Sequence, residues 1–351
     1  ILRSANSINT LDFSLQQSFG LGGRNDVIWG LGYRFINGKA APTGPNVLVR
    51  DGTFRQQLYS VFVQDEITLV PDRLTLALGT KIEHNDYTGF ELQPSLSVMF
   101  KPRESQTVWA SMSRAVRTPT ILEGRAVIAP VYGAPLVGPG GGLYAPTLTG
   151  NPDAKAETLW AYELGWRLQP NARVNVDVAV FCNHYRRLMA PGTIPQSFIP
   201  GVPFGYAELE WTNDLSGRTY GGEGSVTVSP TDAWRLTAAY SLFIAQFDES
   251  SRAANEIKDG SPRHQISLRS AYDFSPRLSL DGQFRHTGSI QGVPAYQTVD
   301  LRLSYRPTER FEFSLVARNL LDDQHPEQSY APFLVIAEVP RSFYARILWR
   351  F

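Results

Sequence analysis

The chain has 351 residues with 33 Lys+Arg against 33 Asp+Glu, so no net charge draws it to a polyanion and nothing points to nucleic acid. Mean hydropathy is −0.20 without a long uninterrupted apolar run, which excludes a membrane-spanning helix but suits a membrane barrel, where only alternate residues meet lipid. The single Cys182 excludes an internal disulfide and a cysteine metal cluster.

Asn9 to Phe19 and Asp26 to Ile36 read as strands joined by Gly20 to Asn25, and Asn37 to Thr53 reads as a polar loop. Leu58 to Leu69 and Leu74 to Asn85 form the next hairpin, turned by Pro71-Asp72-Arg73. One residue breaks its pattern: Asp65 shares parity with Tyr59, Val61, Val63 and Ile67, which is tolerable only at interfacial depth. Gln93 to Phe100 and Thr107 to Val116 pair around Lys101 to Glu104. Thr118 to Lys155 is a long Gly/Pro segment, a kind usually functional or mobile. Within it Pro139-Gly140-Gly141-Gly142 lacks the Lys-Ser/Thr of a phosphate loop and reads as a loop tip.

The central hairpin, Ala156 to Met189, carries the clearest pattern. Trp160, Tyr162, Leu164, Trp166 and Leu168 share one parity, with Glu163, Gly165 and Arg167 on the other. Past Pro170 to Ala172, Val174, Val176, Val178, Val180 and Cys182 alternate with Arg173, Asn175, Asp177 and Asn183. Period two gives two strand faces, and each run exceeds the roughly 9–11 residues a tilted membrane strand needs. Mid-strand Glu163, Arg167 and Asp177 suit an aqueous lumen better than a packed sandwich core.

Ala190 to Gly205 is a second long loop, and Tyr206 to Ser229 returns. Strands then recur at Trp234 to Phe247, His264 to Phe274, Leu278 to Arg285, Val299 to Arg306 and Phe311 to Asn319, and in the terminal run Arg341 to Phe351. From the central hairpin onward, short and long connections alternate, the layout of an outer-membrane barrel. If the last strand ends on the short-turn side, the loops after Val116, Met189, Phe247 and Leu321 face outward. The fold class predicted is all-β, a transmembrane antiparallel β-barrel of about fifteen strands, one per alternating run. Single-chain bacterial barrels are even-numbered, so further strands are expected upstream. Ile1 is not an initiator and no signal peptide follows it, so the chain is expected to be the later part of a longer precursor.

Four segments together resemble the TonB-dependent outer-membrane receptors: Ser113-Arg114-Ala115-Val116-Arg117-Thr118-Pro119-Thr120, Gly150 to Thr158, Ala317-Arg318-Asn319-Leu320-Leu321-Asp322, and the aromatic C-terminal strand ending in Phe351. Tyr220-Gly221-Gly222-Glu223 and Ser261-Pro262-Arg263-His264 add to this. Ala154 and Ala156 depart from the family's leucine and proline in the second segment. The resemblance implies that residues 1–351 are the C-terminal portion of a 22-stranded barrel whose plug is absent here. It also implies import of a siderophore–iron complex or similar scarce nutrient across a Gram-negative-type outer membrane, with outer-membrane lipid around the wall. Energy would come from a TonB-ExbB-ExbD complex acting through the N-terminal plug. Rival readings are a passive porin, an outer-membrane barrel hydrolase and a soluble β-protein.

Candidate ligand-binding or plug-facing residues are Arg114, Arg117 and Glu163, with Tyr132, Tyr144, Phe198 and Phe204 in the long loops. The charged residues have a plainer reading as lumen-wall ion pairs, and the aromatics, with Tyr206, as side chains packing a loop onto itself. His84, His184, His264, His286 and His325 lack ligand spacing, so no metal site is expected. No cofactor is implied. Gly-x-Ser-x-Gly is absent, and nothing identifies a catalytic group.

Overall fold

Alternation of apolar and polar side chains is realised as one antiparallel meander. The computed structural model describes residues 7–39, 47–49, 52–128, 136–192, 195, 197–199, 205–248, 252–328 and 337–351. Fifteen long strands run through these residues: β1 Ser7–Leu21, β2 Asn25–Lys39, β3 Thr53–Val70, β4 Leu74–Asn85, β5 Gly89–Arg103, β6 Gln106–Arg117, β7 Glu157–Asn171, β8 Val174–Pro191, β9 Gly205–Thr231, β10 Trp234–Phe247, β11 His264–Ser275, β12 Leu278–Thr287, β13 Tyr296–Thr308, β14 Phe311–Arg318 and β15 Ser342–Trp349. Each pairs with its sequence neighbour. Among the described residues β1 pairs only with β2 and β15 only with β14, so the sheet is open at both edges.

Register keeps the two faces distinct across strands. On one face Leu164 opposes Val180, which opposes Gly222, which opposes Leu242; on the other Arg167 opposes Asp177. The apolar face is uncovered: Leu15, Leu164, Val180, Leu268, Leu315 and Ile347 are all exposed. The largest fully buried side chains among the described residues are instead Asn85 and Thr298. A soluble sandwich would bury the leucines. An apolar face left uncovered in this way is one that hydrocarbon accommodates.

The two rims differ. Every odd-to-even connection, from β1–β2 to β13–β14, is a turn of two or three residues. Each such turn accepts a hydrogen bond from an amide of the next strand along, as in Thr68 to Arg24, Lys101 to Arg73, Gln169 to Ser105 and Arg350 to Arg310. Long connections lie at the opposite rim, except that β4 and β5 meet there through residues 86–88 alone. Asp65 sits near the tight-turn rim, opposite Val27, with Asn25 Nδ2 donating to its Oδ2 at 2.6 Å. A carboxylate at this depth meets the interface rather than mid-bilayer.

Helices were not predicted in the long connections, yet α1 (Ile121–Arg125) and α2 (Arg252–Asp259) occupy two of them. Thr120 and Glu123 form a capping box: the Glu123 amide reaches Thr120 Oγ1 at 3.3 Å and the Thr120 amide reaches Glu123 Oε2 at 2.7 Å. Ala254 of α2 packs with Ala190, Leu215, Leu188 and Phe247. The Tyr220-Gly221-Gly222-Glu223 segment has a packing reason too. A Cβ on Gly221 would overlap the Leu242 carbonyl oxygen and lie 3.0 Å from the Phe181 ring, whereas one on Gly224 meets nothing closer than 3.8 Å. Gly221→Val is therefore expected to lower refolding stability by about 1–3 kcal/mol, and Gly224→Ala to leave the refolding midpoint of the intact protein close to wild type.

Candidate functional site

Three of the long connections build a second, smaller sheet at the long-loop rim. Val47–Val49 pairs antiparallel with Ala126–Ile128, which pairs antiparallel with Leu143–Thr149. The latter runs parallel to the first residues of β9, and Ser197–Ile199 pairs antiparallel with that same stretch. Gly140 and Gly141, at φ 73° and 75°, turn the chain between Leu136–Val137 and Leu143, so the Gly-rich segment is a turn between strands of this sheet.

Tyr144 is the centre of this small sheet. Its ring is 8% exposed and meets Phe198 edge-on at 5.0 Å between centroids. Gly138 and Gly205 leave the room: a Cβ on either would come within 2.6 Å of the Tyr144 ring. Tyr144 and Phe198 are thus brought together and packed on each other, while Tyr206 is exposed beside them. Tyr132 and Phe204 lie outside the described residues.

Arg114 and Arg117, three residues apart, have different surroundings. Arg117 closes β6 and clamps two carboxylates, with Nη1 and Nη2 on Glu123 at 3.0 and 2.9 Å and Nε on Glu157 at 2.7 Å. Glu157 also accepts the Met189 amide at 2.8 Å, tying β6, α1, β7 and the end of β8 at one point. Two carboxylates on one guanidinium leave the clamp net negative, which suits a loop anchor better than an anion receptor. Arg114 lies in register with Trp160, and its guanidinium donates to the Leu92 carbonyl and pairs with the buried Glu91 at 3.4 Å. It spans the stretch where the β5–β6 ladder, which begins at Ser95–Ser113, no longer connects the strands.

Burial raises the Glu123 carboxyl, but the Arg117 guanidinium and the Thr120 amide more than offset this and hold it below the usual carboxylate range. A depressed folded-state value contributes stability above the ordinary carboxylate pKa, and that contribution disappears as pH falls through the lowered value. The protection factors of α1 amides, which remove the intrinsic pH dependence of exchange, are therefore expected to hold through neutral pH and to fall only once pH drops below the ordinary carboxylate range. Glu123→Gln should show the acid behaviour already at pH 7.

Two asparagines stitch the loops down: Asn213, which the sequence reading did not name, and Asn319 of the Ala317 to Asp322 segment. Asn213 Oδ1 accepts the Lys155 amide at 2.7 Å, and its Nδ2 donates to the carbonyls of Lys155 and Arg187. Asn319, in the left-handed region at φ 52°, donates its amide to Asp300 Oδ1 at 3.0 Å and its Nδ2 to Val339 O at 3.1 Å. The Arg-Asn-Leu-Leu-Asp segment is thus the root of the last loop.

Below the mouth the wall is polar. Glu163 accepts Trp109 Nε1 at 2.6 Å, Arg167 lies 5.7 Å from the Trp109 ring and pairs with Asp177 at 2.6 Å. Farther round, a hollow of about 600 Å3 is lined by Arg235, Arg269, Arg302, Arg318 and Arg346 with Asp281 and Asp300 as its acids. Arg302 and Arg306 share Glu312, and Arg285 pairs with Asp300 at 3.4 Å. Among the described residues no group of His, Cys, Asp and Glu has the makings of a metal site.

An uncovered apolar face, a charged face, tight turns at one rim and a loop sheet at the other describe a large outer-membrane barrel wall. The family described as TonB dependent receptor-like, beta-barrel matches residues 2–320. The chain belongs to this TonB-dependent receptor family. It is 25% identical over 240 residues to a ferric enterobactin receptor of Pseudomonas aeruginosa, a match covering 66% of this chain and 30% of that protein. The crystal structure of the siderophore receptor PirA from Acinetobacter baumannii superposes with a TM-score of 0.80 at 18% identity, covering 99% of this chain and 55% of the other. A mutant of the ferric enterobactin receptor PfeA from P. aeruginosa gives 0.77 at 19% identity, covering 99% and 54%. The chain therefore spans about a third of the curated relative and about half of the solved chains. Proteins of this family are of the outer membrane, which accords with an apolar face turned to lipid.

Proposed function

We propose that the chain supplies wall and outer mouth to an outer-membrane receptor that imports a ferric siderophore, the ligand class named for its relatives. The observation that carries this reading is the loop sheet seated over one rim of a strand wall whose other face is charged. Loops of a passive pore need no such joint structure, whereas a capture site needs its segments fixed relative to one another. Arg117, Glu123 and Glu157 fix the loop roots, and Tyr144 with Phe198 fixes the sheet itself. Ligand would meet the mouth first and the mixed-charge wall afterwards. Release into the periplasm would require a plug to rearrange, driven by the TonB-ExbB-ExbD complex.

The test is uptake of radiolabelled iron, supplied as a panel of ferric siderophores, by cells carrying or lacking the full gene. Gene-dependent uptake that stops on dissipation of the proton gradient is the expected result. Gene-dependent uptake that persists without the gradient would identify a passive pore and overturn the reading.

A further inference from the structure

The lipid-facing surface of β7 to β10 changes character in consecutive rows toward the loop rim. Leu164, Val180 and Leu242 form an apolar row, and the next row outward holds Tyr162, Cys182 and Tyr220. One step beyond, Trp160 opposes His184 and His184 opposes Arg218. Arg186 lies one step farther, opposite Thr158. Hydrocarbon-facing, aromatic and cationic rows thus follow within about 7 Å per step along the strand, the order expected across a membrane interface.

The two arginines differ from those of the charged wall. Arg167, Arg285, Arg302 and Arg306 each have a carboxylate partner. Arg218 is held without one: its Nε and Nη2 donate to Gln246 Oε1 at 2.9 and 2.8 Å, and it stands 5.9 Å from the Tyr220 ring. Gln246 in turn donates to Tyr220 Oη at 3.2 Å. Arg186 and His184 are exposed beside it, and no ion pair to either arginine exists among the described residues. Asp248 lines one hollow with Arg186, Arg218 and Lys258 of α2, so that hollow carries one carboxylate against three cationic side chains. A hollow at the hydrocarbon edge with this net positive lining, and with neither arginine ion-paired among the described residues, suits a phosphate, which accepts two parallel N–H bonds.

We propose that Arg186, Arg218 and His184 bind the phosphate of an anionic lipid head group in the leaflet facing the loops. The proposal rests on the membrane reading given above. Trp160, in the same row, reports on it. The full-length protein is reconstituted in phosphatidylcholine bilayers containing brominated phosphatidic acid or brominated phosphatidylcholine, and the Trp160 contribution to quenching is isolated with Trp160→Phe. Enrichment of phosphatidic acid at Trp160 by roughly tenfold is expected, lost in the Arg186→Gln/Arg218→Gln double variant and partly kept in the double Lys variant. Millimolar inorganic phosphate should not compete. Equal quenching by the two lipids, or enrichment unaffected by the Gln variant, would overturn the proposal. Enrichment abolished by inorganic phosphate would show a site for soluble phosphate and overturn the lipid assignment. No quenching of Trp160 by either lipid would instead overturn the membrane placement itself.

Discussion

Arginine in place of Val178 is expected to cost the folded barrel about 2–4 kcal/mol, and arginine at the neighbouring Ala179 much less. Val178 stands mid-strand, opposite Trp166 on β7 and Gly224 on β9, in the band that includes the exposed Leu164 and Val180. A guanidinium there must either enter hydrocarbon or drag water and head groups in after it. Ala179 points the other way, into a lumen groove it shares with Asp177 and Glu223, where added positive charge meets two carboxylates. Equilibrium unfolding of the two variants of the full-length protein in lipid bilayers measures the difference. The contrast between adjacent residues matters more than either value, because general intolerance of β8 to substitution would lower both alike.

Tyr144→Ala is expected to dismantle the loop sheet while leaving the wall intact. The ring is buried between Phe198, Gly138 and Gly205, and truncating a buried aromatic costs about 3–5 kcal/mol. Most segments of this sheet are only two or three residues long, so its stability depends on the packing around Tyr144 rather than on strand pairing alone. Amide exchange should accelerate across Leu143–Thr149 and Gly205–Glu210 together, with β11 to β14 unchanged, and ferric-siderophore affinity of the full-length protein should fall at least tenfold, about 1.4 kcal/mol. Tyr144→Phe should behave as wild type, because its hydroxyl contributes only a 3.5 Å contact to the Pro139 carbonyl. Unchanged exchange in Tyr144→Ala would show that the sheet is held elsewhere.

The wall was legible in the sequence because lipid and lumen impose a period of two that survives every insertion in the loops. All fifteen alternating runs are strands, and the Gly-rich segment 138–142 is a turn, as read. Strand ends were less legible: β9 was read to within two residues of Gly205–Thr231, but β3 and β5 begin at Thr53 and Gly89, four or five residues before the expected Leu58 and Gln93. The loop sheet was not legible at all. Its parallel pair joins Leu143–Thr149 to Gly205–Glu210 across two full transmembrane strands, and no local pattern encodes such a partner. Helix α1 carried a signal, Thr120-x-x-Glu123, that went unused beside the prolines and glycines around it. Arg114 and Arg117 read alike in sequence, yet an odd separation in a strand places them on opposite parities with unrelated partners. Tyr144 and Phe198 were named as aromatics that either stack on a ligand or pack the loops onto themselves; they pack on each other, a pairing that no local pattern specifies.

The division of the sheet into a lipid face and a water face is tested most directly at Val176 and Asp177. Spin labels placed singly at these adjacent positions of the full-length protein in a bilayer report accessibility to oxygen, which concentrates in hydrocarbon, and to a polar nickel complex, which does not. Greater oxygen accessibility at 176 and greater nickel accessibility at 177 is the predicted result; the same ratio at both positions would contradict a membrane wall built from this chain.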